Sequence, residues 1–188
     1  VNIGFGRAAA TLSVLVGQRV LLEAPRVDFL SVAELKSALL PLSRGNELVI
    51  NQGFKGELAG NTLLFMDVQS VVMLLDLLSG ENVSGRNLTD GDRDAMVEIS
   101  NILLNSYIGS FANLLNVSLS FTVPVLCTDT LSNILARYEV DGEQVNYTLL
   151  VKTEFHFTNR SIGGYVILIV GISSLKDLFA AIERISNS

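Results

Sequence analysis

No apolar run in this 188-residue chain is long enough to cross a bilayer. The apolar fraction reaches 49%, yet the greasiest stretch, Tyr165 to Ile172, falls far short of the ~20 residues that a membrane helix needs. A soluble protein without membrane contact is expected. Cysteine is nearly absent: Cys127 stands alone, which excludes an intramolecular disulfide and requires no oxidising compartment, so cytoplasm is the default localisation. Basic charge is also short. A formal net charge of -6 leaves no electrostatic footprint for nucleic acid, whose binding draws most of its non-specific affinity from Lys and Arg. The one histidine, His156, has no Cys/His cluster around it in sequence and lies between Phe155 and Phe157, so it reads as structural and no metal site is expected. An initiator methionine is missing too. Val1 reads as lying inside a helix, and the natural N-terminus is expected upstream of it.

What is present is a repeat. Asn2 is followed after 22 residues by Pro25, and Asn101 after 22 residues by Pro124, the two pairs being offset by 99. The order of elements recurs around each pair: a helix, an extended run carrying the proline, a short helical stretch, two longer strands and a closing helix. In the first half these fall at about 1-16, 19-29, 31-39, 46-57 with 61-67, and 68-79; in the second at about 90-115, 117-127, 129-136, 144-157 with 163-171, and 173-186. The chain is therefore expected to form a single domain, 1-188, of repeats at about 1-80 and 88-188. The polar, Gly-bearing segment from Ser79 to Arg86 joins them.

Local chemistry supports these elements. Thr89 with Asp92 three residues on resembles a capping box, which starts a helix. Leu175, Leu178, Phe179, Ile182 and Ile185 stand at helical spacing behind Ser173 and Ser174, giving a closing helix with one core face. The β-branched and aromatic runs Tyr147 to Phe157 and Tyr165 to Val170, with Gly163 and Gly164 between, read as an antiparallel hairpin. Long helices on one side of a mostly antiparallel sheet, doubled by a pseudo-twofold axis, make an α+β two-layer domain. Because one chain carries both halves, a monomer is expected.

The helix at about 90-115 contradicts its own apolar character at four places. Asp94, Glu98, Asn101 and Asn105 follow one another by four, three and four residues, which at ~100° per residue confines them to a stripe about 60° wide. Met96, Leu103, Tyr107 and Leu114 lie opposite and should meet the sheet. By periodicity alone the stripe is the wet side of an amphipathic helix, and it must face solvent or a partner.

The residue types add to this. The pattern Asp94-x3-Glu98-x2-Asn101-x22-Pro124 resembles the acid/serine, Glu, Asn, Pro signature of the CheC/CheX/FliY family of chemotaxis response-regulator phosphatases, and its doubling is most similar to CheC. The segment from Asn2 to Ser13, with Pro25 at the matching distance, resembles the family's first helix. The glutamate of that first site would lie ahead of Val1. The resemblance implies a CheC-like fold and hydrolysis of the aspartyl-phosphate of a CheY-type receiver, with Glu98, Asn101 and Asn2 as catalytic residues and Asp94 and Asn105 as substrate-binding ones. It also implies that this chain holds no cofactor, since the receiver carries Mg²⁺, and that a CheD-type deamidase is a possible second partner. A carboxamide suits the task, because it can orient water without placing negative charge beside the phosphoryl group. Glu98, one turn earlier, suits pairing with the receiver's lysine.

Other signals weigh less. Gly4 to Ala9 fits a GxGxxA loop, but no strand precedes it. Cys127 ends an apolar strand and reads as a small buried hydrophobe. Sequons at Asn82, Asn87, Asn116, Asn146 and Asn159 are incidental. Two further classes stay open: a non-catalytic docking module for a receiver or a CheD-type deamidase, and a flagellar-switch component.

Overall fold

The computed structural model describes residues 6, 9-11, 13-14, 17, 19-22, 26-43, 45-80, 86-138, 147-157 and 160-170. In chain order these form β1 (Val20–Leu22), β2 (Arg26–Ser31), α1 (Val32–Leu39), a 3-10 turn (Leu40–Leu42), β3 (Glu47–Gly56), β4 (Gly60–Asp67), α2 (Val68–Ser79), α3 (Asp90–Leu115), β5 (Leu119–Phe121), β6 (Val125–Cys127), α4 (Leu131–Ala136), β7 (Tyr147–Phe157) and β8 (Arg160–Val170). Gly6, Ala9 to Thr11, Ser13 and Val14 are helical, where the first helix was expected. The expected closing helix at 173-186 lies outside the described residues.

Period-two alternation sorts the long strands onto two cores. Leu48, Ile50 and Phe54 of β3, Leu64 and Met66 of β4, and Val166, Leu168 and Val170 of β8 meet the long helices through Leu74 and Leu75 of α2 and Met96, Leu103, Leu104 and Ile108 of α3. Their neighbours Val49, Leu63, Phe65, Ile167 and Ile169 point the other way, onto Leu35 and Leu39 of α1 and Leu131, Ile134 and Leu135 of α4. The mixed α and antiparallel β class is as expected, with the long helices on one face. The two short helices add a smaller layer on the reverse face, because the inner strands are apolar on both sides and need cover on both.

Sheet order is β1-β7-β8-β4-β3-β5, with β2 also on β7 and β6 also on β3, and every pairing is antiparallel. Each half thus gives its first two strands to the third strand of the other half. The two fourth strands, β4 and β8, pair at the centre. Register repeats as well. Phe54 pairs with Phe121 and Asn51 with Val125, so two residues of β3 face three, Thr122 to Pro124. Leu22 pairs with Phe155 and Arg26 with Lys152, again leaving two residues of β7 against three in sequence.

Helix ends follow from their caps. The Thr89 hydroxyl accepts from the Asp92 N–H and the Asp92 carboxylate accepts from the Thr89 N–H at 2.8 Å, the expected capping box. Gly80 ends α2 in the left-handed region at φ 72°. Arg86 ties the two long helices together, donating from Nε to Asp76 of α2 and from its other nitrogens to Asp92 of α3.

Candidate functional site

The polar stripe of α3 divides in two. Asp94 and Glu98 are exposed, as expected, whereas Asn101 and Asn105 are half-buried. Met96, Leu103 and Tyr107 are buried beneath the helix, and the Leu114 side chain lies outside the described residues. Asn105 sits one turn after Asn101 and donates from Nδ2 to Asn101 Oδ1 at 2.9 Å. The second donor to that oxygen comes from the sheet: Gln52 Nε2 lies 3.3 Å from Asn101 Oδ1 and 3.0 Å from Asn105 Oδ1. The two asparagines are less exposed than their place in an outward stripe implied, because the Gln52 side chain of the sheet meets them here.

The Gln52 side chain is itself tied to the chain beside Pro124. A proline has no N–H for a ladder, so pairing with β3 is interrupted beside it. The extra residue makes a bulge. Thr122 stays attached to the turn of the ladder, its N–H donating to the Gly53 carbonyl at 2.9 Å and its hydroxyl accepting from the Gly53 N–H at 2.9 Å. The Thr122 carbonyl, freed from the ladder, accepts from Gln52 Nε2 at 2.9 Å. Pro124 is buried while its neighbours Val123 and Val125 are 77% and 62% exposed. The 22-residue spacing from Asn101 to Pro124 therefore brings a helix carboxamide over a proline bulge, through a glutamine that belongs to neither.

Gln52 was not singled out from sequence. Its signal was there: along β3 the positions facing the long helices are Leu48, Ile50, Gln52 and Phe54, and one of the four is polar. It is 0% exposed, and its Oε1 has no hydrogen-bond partner among the described residues.

Asn2 lies outside the described residues. Cys127 is partly buried against the core under the short helices, and that burial pushes its thiol up in pKa, which suits a packed hydrophobe better than a nucleophile. Backbone pairing places His156 in β7 opposite Ser161 and Leu21. Among the described residues no group of three or more His, Cys, Asp or Glu could hold a metal ion. No helix among them is long and apolar enough to cross a membrane.

Comparison with known proteins agrees with this architecture. The Thermotoga maritima FliY crystal structure superposes with a TM-score of 0.76 at 19% identity, covering 97% of this chain and 91% of that one. This chain has the CheC-like fold. A Bacillus subtilis protein named CheY-P phosphatase CheC is 22% identical over 190 residues, spanning 96% of this chain and 89% of its own length. The residue-level resemblance to the CheC/CheX/FliY family thus extends over most of the chain. The middle domain of FliM from H. pylori shares the CheC-like fold with a TM-score of 0.66 at 11% identity, covering 95% of this chain and 91% of that chain. No protein-family model matches the chain.

Proposed function

We propose that this protein hydrolyses the aspartyl-phosphate of a CheY-type receiver domain in chemotaxis signalling. The observation that carries the reading is the α3 stripe, where an exposed carboxylate, Glu98, stands one turn before a carboxamide, Asn101, that is held in place from below. Docking lays α3 along the receiver. Glu98 pairs with the receiver's lysine and sets the depth and angle of the helix by a charge-assisted bond. Asn101 then holds a water in line with the scissile bond. Water oxygen bonds to phosphorus, the P–O bond to the aspartate breaks, the carboxylate leaves with the electron pair, and the water keeps one proton in the inorganic phosphate and releases the other to solvent. Mg²⁺ on the receiver supplies charge neutralisation at the phosphoryl group. This chain forms no covalent bond to phosphate. Asp94 and Asn105 flank the pair as substrate-binding residues, and Asn2 is the corresponding catalytic residue of the first helix.

A second reading has its own support. FliM shares the fold, and the exposed Val123 and Val125 beside the bulge would suit adhesion to a protein surface, so a docking module for a receiver or a CheD-type deamidase is the alternative. One experiment separates them. Phosphate loss from a panel of phosphorylated receivers is followed with wild type, with Asn101→Ala and with Asn2→Ala/Asn101→Ala. Acceleration by wild type that the double variant lacks supports hydrolysis. Equal decay with all proteins, together with retained binding, makes the chain a docking module.

A further inference from the structure

We infer that Gln52 is a positioning residue that fixes which end of the Asn101 carboxamide faces the substrate, an inference that rests on the phosphatase reading. Gln52 lies on β3 of the first half, and Asn101 on the long helix of the second. Its Nε2 is held by the Thr122 carbonyl at 2.9 Å. A carbonyl oxygen can only accept, so this contact sets the glutamine amide with nitrogen toward the bulge and the asparagines. The same nitrogen then meets Asn105 Oδ1 at 3.0 Å and Asn101 Oδ1 at 3.3 Å. Asn105 Nδ2 supplies a second donor to Asn101 Oδ1 at 2.9 Å. That oxygen is thereby engaged by Asn105 and, through a proton shared with Asn105 Oδ1, by Gln52. Asn101 Nδ2 has no hydrogen-bond partner among the described residues, so it is the end of the amide left for a substrate.

The consequence is electrostatic. With Oδ1 turned down, the group offered to an anionic phosphoryl centre and its attacking water is an N–H donor; the flipped amide would offer a carbonyl dipole of the wrong sign. Polarity here is not explained by stability. Gln52 is 0% exposed, its Oε1 finds no donor among the described residues, and the hydroxyl of Thr62, its direct partner across β3 and β4, is likewise buried without a partner among them. Burying an unsatisfied amide oxygen works against folding. An apolar side chain of similar volume would end that penalty, and the acceptors it leaves, on exposed Thr122 and the half-buried asparagines, can turn to water.

Three variants test the assignment: Gln52→Met, Gln52→Leu and Gln52→Glu, the last of which replaces the donor by an acceptor and favours the flipped Asn101 amide. Each is assayed by steady-state loss of phosphate from a phosphorylated receiver, alone and in the Asn101→Ala background. The expected result is a fall in kcat of roughly tenfold or more with KM changed less than about threefold, thermal midpoints of the Met and Leu variants at or above wild type, and no further loss once Asn101 is alanine. A loss of the same factor in both backgrounds, a change confined to KM, or wild-type kcat in Gln52→Met overturns it. A readout independent of turnover is the side-chain ¹H–¹⁵N spectrum of the wild-type protein. Proximity signals between the Gln52 amide protons and the Asn105 amide group are expected, and their absence from a folded protein overturns the network even if a variant fails to fold. Should Asn2→Ala/Asn101→Ala leave the rate untouched, the phosphatase reading fails by itself, while these spectra still decide whether Gln52 orients the amide.

Discussion

Replacing Asn101 by alanine separates chemistry from folding, and the structure sets the size of both effects. Removal of the carboxamide takes away one acceptor, Oδ1, used by Gln52 Nε2 and Asn105 Nδ2. Gln52 keeps two other acceptors, Asn105 Oδ1 and the Thr122 carbonyl, so no buried donor is orphaned. Asn105 is half-buried and can turn its N–H to water. The stability cost is therefore that of an ordinary hydrogen bond, ~1 kcal/mol. Loss of the water-holding group should be larger on the reaction: a reacting partner that is no longer positioned costs on the order of 10²-fold, or ~2.7 kcal/mol of barrier. The assay is single-turnover decay of a phosphorylated receiver at saturating protein, alongside urea unfolding of the same preparation. A rate within about threefold of wild type would refute the role given to Asn101. So would a rate loss matched by unfolding, since the acceptor count above leaves the fold nearly intact.

Three further outcomes follow from other parts of the molecule. Glu98→Gln keeps the side-chain volume and removes the charge, so its main effect should be about tenfold weaker productive binding, largest at low ionic strength; a KM that ignores both charge and salt contradicts the lysine pairing. Arg86 hydrogen-bonds Asp92 and, with the Thr89 cap, holds that carboxyl well below the usual carboxylate range. A carboxyl whose folded pKa lies beneath its unfolded value of about 3.9 contributes stability that is complete above that value and fades as pH falls toward the folded one. Asp92→Asn should accordingly lower the urea midpoint by a constant amount from about pH 5 to 8, and the gap should shrink below about pH 4; a gap that widens in acid has the wrong sign. At Gly60 an added Cβ would lie 2.1 Å from the Ile169 carbonyl oxygen in the central pairing of β4 with β8, so Gly60→Ala should cost roughly 3 kcal/mol in the unfolding free energy; a wild-type midpoint would mean that the two strands separate there at little cost.

Much of this arrangement is legible in the chain, for reasons that differ by element. The order of strands and helices was readable because each has its own period and its own punctuation, such as the Thr89 and Asp92 capping box and the glycine after α2. The polar stripe was readable because a helix repeats every 3.6 residues, so Asp94, Glu98, Asn101 and Asn105 advertise a common side. The depth of that stripe was not. Whether a polar helix position sits in water or over a sheet depends on what lies 49 residues away at Gln52, and periodicity within one element carries no such distance. The reverse-face layer escaped for a related reason. Leu63 to Met66 are all buried, and an unbroken apolar run shows that both faces of a strand are covered without saying which helices cover them.

Interleaving of the halves gives the repeat a physical consequence. Gln52 reaches the helix of the second half because the edge of β3 away from β4 pairs with β5 and β6, so on the proposed mechanism the site on α3 draws on both halves. Strand register identifies the matching position for the first helix. Asn51 pairs with Val125 and Phe54 with Phe121, while Lys152 pairs with Arg26 and Phe155 with Leu22, and the residue standing where Gln52 stands is Thr153. Threonine carries a short hydroxyl with one proton in place of a long amide with two, and cannot donate to two acceptors at once. On the proposed mechanism the two sites are therefore unequal whatever precedes Val1. Asn101→Ala should remove nearly all of the activity, and Asn2→Ala only a small part of it. In the Asn101→Ala background, Thr153→Gln should raise the residual rate severalfold if the first helix carries its glutamate. Equal losses from the two asparagine variants would show that the site beside Thr153 orients its amide without a glutamine, and the weight placed on Gln52 would have to fall on the helix alone.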